Sequence, residues 1–542
     1  MLTLAVVISA IGALALVAIH DLTQKKHAIL RNFPIIGHFR YWLEMIGPEL
    51  RQYWVASDTE EKPYNRDKRS YVYASAKGQN NKIGFGTKQD YNKPGQIHLL
   101  PSMFPVPDGQ MDDKLDALVI GPRRRKPYVC PWPINISGMS FGALSEEAVR
   151  ALSTGARLAD IHILTGEGSL TPYHLEGVVI PDESRAAKVA RAAAYLMSFG
   201  PKRWRPNVDP RTCKMGGGRI IVQIGPGKFG FRTESGELDR TKVQKVAEND
   251  QVVAFEIKLA QGAKPGMGGV LPQAKITPEI AHIRGIPTDR DCISPNSWGE
   301  FHDVPSLMNF ITEMQELTGK PVGFKMVMGD HSFIRGVAQY MKETGKAPDF
   351  ITVDGGEGGT GAAPLALADH MGLPILHALP IVDNVLREFG VRDQTVVIAS
   401  GKIATGADVA IYLAIGADMV NIGRGFLLSL GCIQAMKCHT NTCPTGITTQ
   451  NKWLRRGLDP ALKCQRVANY AKTLQHELLM LLKSCGVRNP WELTRHHVAM
   501  VVSPGCEKPL AEITGFKYPP GCDGAIKMPL ASDIPAAGKK KL

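Results

Sequence analysis

Residues 395–425 read TVVIASGKIATGADVAIYLAIGADMVNIGRG. The run opens on a short β-branched stretch, Thr395 to Ser400, breaks at a glycine, and continues with helical periodicity from Thr405 to Ile415. It then returns to a second short apolar stretch, Met419 to Ile422, which ends in another glycine loop. Strand, glycine loop, helix, strand is a βαβ unit, whose two strands lie parallel and are buried on both faces. Working outward, the same texture recurs at Ile134–Ser137, Ile161–Thr165, Arg219–Gln223, Val252–Lys258, Gly323–Val327 and Phe350–Asp354.

Eight such strands are therefore expected, most of them ending in a glycine-containing loop: SGMSFG, TGEGS, QIGPG, DGGEGGTG, SGKIATG and GRG. Helical stretches at 145–157, 303–318, 332–342 and 405–415 fall between them. The pattern predicts an α/β fold, a (β/α)8 TIM-type barrel with its chemistry at the C-terminal strand ends, and leaves a doubly wound open sheet as the alternative. A ninth apolar stretch, Cys292–Pro295, reads as part of a long insertion between the fourth and fifth strands. Beyond the barrel, 459–485 reads as one long helix closed by Gly486.

The chain has 542 residues, 44% hydrophobic and 21% charged, which excludes a peptide, a disulfide-stapled miniprotein and wholesale disorder. Its formal net charge of +13 suits acidic partners or simply a basic surface. No nucleic-acid partner is expected. Residues 1–19, MLTLAVVISAIGALALVAI, carry no charge and nearly match a bilayer span, with Lys25, Lys26 and Arg31 following. The placement of those charges favours a single-pass membrane anchor with the catalytic domain in the cytoplasm, over a cleaved signal peptide. Residues 28–55 mix aromatics with Arg and Pro, as in a segment near lipid headgroups or an ordinary linker helix. The expected divisions are an anchor at 1–22, a linker and packing segment at 23–115, the barrel at 116–430, a cysteine loop and helix at 431–495, and a tail at 496–542. From Gly505 that tail is rich in Pro, Gly and Ala, ends in Lys539, Lys540 and Lys541, and reads as loosely held.

Three cysteines crowd into GCIQAMKCHTNTCPTG as Cys432, Cys438 and Cys443, spaced C-x5-C-x4-C with Pro444 after the last. Thiolates select iron–sulfur clusters or zinc, and the spacing lacks the C-x2-C pairs of zinc ribbons. Three ligands, with Cys464 placed in a helix, point to a three-iron cluster. At the last two strand ends, Gly401, Gly423 and Arg424 suit a phosphate cradle, although glycine here is also ordinary turn chemistry. GGEGGTG at 355–361 contains a formal G-x-G-x-x-G, but no acidic residue follows at the distance a Rossmann unit needs, so its glycines, Gly359 among them, suit close approach to a flat flavin instead. Lys258 ends a strand and Lys264 sits in a glycine-rich loop, placed to stabilise a reduced flavin and to grip a carboxylate; solvated surface lysines are the alternative.

Taken together, SGMSFGALS, TGEGS, EIKLAQGAKPG, the HD at 302–303, DGGEGGTGAAP, GKIATGADV and GCIQAMKCHTNTCPTGITTQ resemble the FMN-binding synthase domain of glutamate synthase over about residues 100–495. The resemblance implies FMN in the barrel, a [3Fe-4S] cluster on the three cysteines, and hydride delivery to 2-iminoglutarate formed from 2-oxoglutarate and ammonia. It places Ser140, Gln223, Lys258 and Lys325 near FMN, and Lys264 and Arg284 on the 2-oxo acid. In the family a glutaminase domain precedes the synthase domain; here that place holds the apolar segment, so ammonia is expected free or from a partner. The family's substrate loop GEGGQLPG reads GMGGVLPQ here, with Met267 replacing an acid and Val270 a glutamine.

The leading expectation is a membrane-anchored FMN and iron–sulfur oxidoreductase that reductively aminates 2-oxoglutarate, with electrons from a ferredoxin or a separate reductase. The basic run Arg123, Arg124, Arg125 and Lys126 is a candidate dock for an acidic donor. The alternatives are the same cofactors serving another substrate or a quinone, and a non-catalytic flavin-bearing scaffold or sensor.

Overall fold

The computed structural model describes residues 2–24, 26–79, 82–111, 115–178, 216–515 and 529–533; Lys25 and Lys539 to Lys541 lie outside them. The chain divides into two compact units, residues 1–70 and 71–542.

In the larger unit eight parallel strands close into a barrel. They are β1 (Ile134–Ile136), β2 (His162–Leu164), β3 (Arg219–Ile224), β4 (Val252–Lys258), β5 (Val322–Met326), β6 (Phe350–Asp354), β7 (Val396–Ser400) and β8 (Met419–Ile422). They pair in chain order, and Val420 of β8 sits opposite Ile134 of β1 to shut the ring. All eight expected strands are present, which excludes the open sheet. The strands are buried on both faces because helices cover the outside and side chains fill the inside.

The crossover helices start where the sequence supplies caps. Thr405 and Asp408 form a capping box for Gly406–Ala414, and Asp303 caps Val304–Thr318, which ends at Gly319 with φ +66°. The long helix Pro460–Cys485, begun by Asp459 and Pro460 and ended at Gly486, lies against Glu146–Leu158. A side chain on Gly155 would collide with Val467, so the two backbones approach as closely as glycine permits.

An antiparallel hairpin, Leu118–Ile120 with Tyr128–Cys130, plugs the N-terminal end of the barrel. Leu118, Ile120 and Tyr128 pack there against Ile221, Ala254, Phe350 and Met419. The opposite, C-terminal mouth carries the glycine loops. There the insertion between β4 and β5 forms its own two-stranded ribbon, Val270–Leu271 with Cys292–Ile293, so the ninth apolar stretch falls where expected.

Of the tail, residues 496–515 and 529–533 are described, and they are tied into the fold. Cys506–Pro509 pairs with Val498–Ser503, which pairs in turn with Ile97–Leu99, and Leu530 bridges to Leu118. Pairing with a partner far away in sequence leaves no local compositional trace.

In the smaller unit, the helix Leu2–Thr23 carries no ionisable side chain before His20 and Asp21. Its stretch Thr3–Thr23 is long and apolar enough to cross a membrane, alone in this among the described residues.

Candidate functional site

At the end of β4 the Lys258 ammonium lies 2.9 Å from Glu167 Oε1, in the loop after β2, and donates to Gln261 Oε1 at 3.1 Å. Lys258 is buried and Glu167 is only slightly exposed. Register places Lys325 of β5 directly beside Lys258. Burial and this like-charged neighbour hold Lys258 below the ordinary lysine range, with Glu167 opposing them. Burial pushes Glu167 up, but Lys258, Arg284 and Lys264 outweigh it and bring its carboxyl below the usual glutamate value. Glycine makes room for the pair: a Cβ on Gly269 would collide with Glu167 Oε1, and one on Gly225 would stand 2.7 Å from Oε2.

Lys264 and Arg284 are also buried, and burial followed by Lys258 lowers the Lys264 ammonium. Arg284 ends the helix Pro278–Arg284, donates to Phe141 O at 2.7 Å, and keeps its Nε buried without a hydrogen-bond partner. Asp354, at the end of β6, accepts from Gly262 N at 2.8 Å. Deeper in the barrel, Glu256 is fully buried between Gln223 Nε2 (2.6 Å) and Thr352 Oγ1 (2.6 Å). Four buried cations therefore share the mouth with two carboxylates, Glu167 and Asp354. Such an excess attracts an anionic ligand in a low-dielectric site.

The neighbouring wall is bare backbone. A Cβ on Gly166 would stand 2.7 Å from Ser140 Oγ, one on Gly138 3.3 Å from Gln223 Nε2, and one on Gly359 2.6 Å from Arg424 Nε. Arg424 donates to Glu357 O at 2.6 Å, while Gly401 takes φ +154° against Ile375 and Gly423 faces Ser137 and Met139. Ser140, Gln223, Lys258, Lys325, Gly359, Gly401, Gly423 and Arg424 thus all stand at or beside C-terminal strand ends, at one mouth. A glycine wall that a Cβ would fill, edged by cations, fits a flat ring bearing a phosphate.

Residues 110–488 match the family model described as a conserved region in glutamate synthase. The chain belongs to the glutamate synthase family. It is 38% identical over 522 residues to the glutamate synthase large subunit-like protein YerD of Bacillus subtilis, covering 89% of this chain and 92% of that protein. It is 33% identical over 416 residues to an archaeal glutamate synthase (NADPH) of Methanocaldococcus jannaschii, covering 75% and 70%. A flavocytochrome b2 variant with sulfite bound aligns over 93% of this chain and 96% of that one, at TM-score 0.40 and 13% identity, too remote for its ligands to bear on this site. Membership in the glutamate synthase family makes the protein an oxidoreductase.

The cysteine loop of this family member lies against the same mouth: Cys438 Cβ is 4.0 Å from where a Cβ of Gly361 would be. Gln434, Met436 and Asn441 all take positive φ, between +57° and +63°, an outlay of backbone strain that loops make at functional sites. Asn441 donates to Ala274 O, and the buried Lys275 ammonium donates to Cys438 O at 3.1 Å and to Ala143 O at 2.8 Å, pinning the loop to the one after β1. Cys438 and Cys443 are near enough to interact electrostatically, and Lys275 faces both. Among the described residues no three His, Cys, Asp or Glu side chains converge as a ligand set. The donor chemistry and the cation beside it fit a thiolate-held cluster.

Sequence reasoning missed Glu167, Glu256, Lys275, Glu357 and Trp298, whose indole donates to Lys258 O at 2.9 Å. Glu167 was within reach, as the one charged residue of TGEGS. Of the basic run, Arg124 pairs with Asp349, Arg125 donates to Glu316 O and Lys126 reaches Asp250, at the plugged end of the barrel.

Proposed function

We propose that this protein is a glutamate synthase-type oxidoreductase that reductively aminates 2-oxoglutarate to L-glutamate, using free or partner-supplied ammonia, FMN and a [3Fe-4S] cluster. The observation that carries this reading is the buried group of Lys258, Lys264, Lys325 and Arg284 around Glu167, beside a glycine wall. FMN, when bound, supplies hydride transfer, and family membership supports it as the cofactor. Lys258 and Lys325, adjacent at the ends of β4 and β5, present positive charge where negative charge develops on reduction. Lys264 and Arg284 bind carboxylates of the 2-oxo acid, with the unpartnered Arg284 Nε as one donor. Glu167, kept ionised by its three cationic neighbours, can hold ammonium and accept a proton at Oε. Cys432, Cys438 and Cys443 would hold the cluster, and electrons enter from a ferredoxin or a separate reductase.

The helix Leu2–Thr23 serves as a single-pass anchor, with the catalytic unit on the cytoplasmic side, since Lys26 and Arg31 follow the span. A second reading, another 2-oxo acid or acceptor, is favoured by Val270: unlike glutamine it cannot donate to a substrate. The test is anaerobic. The purified full chain is assayed for flavin, iron and sulfide, reduced, and mixed with 2-oxoglutarate and ammonium. Rapid reoxidation with glutamate formed is expected; a reduced flavin indifferent to both compounds overturns glutamate synthesis.

A further inference from the structure

The smaller unit exposes apolar surface that its own fold leaves uncovered. Downstream of the span, Phe33, Ile36, Phe39, Trp42, Trp54 and Val55 are each at least half exposed, and Phe39 stacks on Trp42. Residues Ile29, Phe33, Ile36, Phe39 and Leu43 border one apolar cleft, rimmed by Arg40 and Glu44. A soluble surface rarely gathers so many large apolar side chains without a partner.

The same unit shows where this surface is held. Asp21, at the C-terminal end of the apolar helix, is fully buried and accepts from Ile35 N at 2.9 Å, and it pairs with His38 at 2.9 Å. His38 lies in the helix Gly37–Leu50. That helix packs tightly on Ala28–Asn32, because a Cβ on Gly37 would come within 3.0 Å of Leu30 Cδ2. The aromatic face is thereby latched to the very end of the span, and cannot drift from it while Asp21 keeps both contacts.

We infer that residues 28–55 form a foot lying on the bilayer leaflet at the end of the span, with Phe39 and Trp42 at the headgroup level and a lipid acyl chain in the cleft. The argument for lipid as the occupant is continuity: an apolar helix of bilayer length runs directly into this face, and Trp with Arg is the composition of that interface. This inference rests on the membrane reading above and adds the lipid surface to it.

The test uses the full chain in vesicles of phosphatidylcholine and phosphatidylglycerol, with plain or brominated acyl chains. Trp42 emission is taken as the difference between the wild-type protein and Trp42→Phe, and Trp54→Phe serves as a second, independent probe. The Trp42 component is expected to fall at least twofold in brominated vesicles. Equal emission in both vesicle types for both probes, with the chain still resisting alkaline carbonate extraction, overturns the foot while leaving the anchor. Release of the chain by carbonate overturns the membrane reading and the foot together.

Discussion

At the N-terminal end of the barrel, Arg392 reaches Asp383 at 2.7 Å and Asp418 at 2.9 Å, Arg495 reaches Asp383 at 2.6 Å, and Arg124 reaches Asp349 at 2.9 Å. Backbone amides complete the set, Val397 N on Asp418 and Val322 N on Asp349. At the C-terminal mouth, by contrast, four buried cations share two carboxylates, and Arg284 Nε has no partner at all. Both ends bury charge, but one end closes its electrostatics internally and the other leaves them open to a ligand. A buried ion matched on all sides serves the fold; a buried cation in excess serves something that arrives later.

That contrast is broken or sharpened most strongly at the plugged end. Arg392→Met would take from Asp418 its guanidinium in a dry interior, while Asp383 keeps Arg495 and Arg387, a loss of about 3–5 kcal/mol. A large drop in thermal midpoint is expected by differential scanning fluorimetry, with turnover per folded molecule retained. If turnover fell as steeply as stability, the two ends would not be separate in role.

Lys258→Met at the mouth is expected to do the reverse. It should slow flavin reoxidation by 2-oxoglutarate and ammonium about 10²- to 10³-fold, the scale for deleting one stabilising donor, with the thermal midpoint nearly kept. Stopped-flow absorbance checks it. A smaller change, Val270→Gln, restores a donor to the insertion. It should lower KM for 2-oxoglutarate roughly tenfold, a hydrogen bond to a charged group being worth about 1.5–3 kcal/mol. An unchanged KM with faster turnover of another 2-oxo acid would favour the alternative substrate.

A further test is one of pH, again at the plugged end. Burial lowers the His162 imidazole to about 3, against an ordinary value near 6.5. Between those values the unfolded chain binds a proton that the folded one refuses. Stability is therefore full above about pH 6.5 and falls as pH drops toward 3, by about 1.4 kcal/mol per unit. His162→Gln should flatten this slope in denaturant titrations at pH 4.5 to 7.

The barrel was legible because its signal is local and repeated: strands buried on both faces read as unbroken apolar runs, and most end at a glycine loop. The insertion ribbon at Cys292 was visible for the same reason. Lys258, Lys264 and Arg284 could be found because they sit in or beside such motifs. Glu256 could not, since a glutamate inside a strand has meaning only once Gln223 and Thr352 close on it from neighbouring strands. Lys275 likewise gains its place from carbonyls at 143 and 438, far off in sequence. The cysteine spacing was plain because it is local. The strand Val498–Ser503 was not legible because its partner lies near residue 97.

Ring closure also orders the protein's birth. β1 pairs with β8, so the first barrel strand to leave the ribosome must wait for the last, while the hairpin at 118–130 emerges before any wall exists for it to plug. Until residue 422 is out, β1 presents an unpaired edge and the hairpin an uncovered apolar face. Closure over so long a loop is slow, and such edges invite association. A translational pause or a truncation before β8 should therefore yield aggregated nascent chains, not a partly working enzyme.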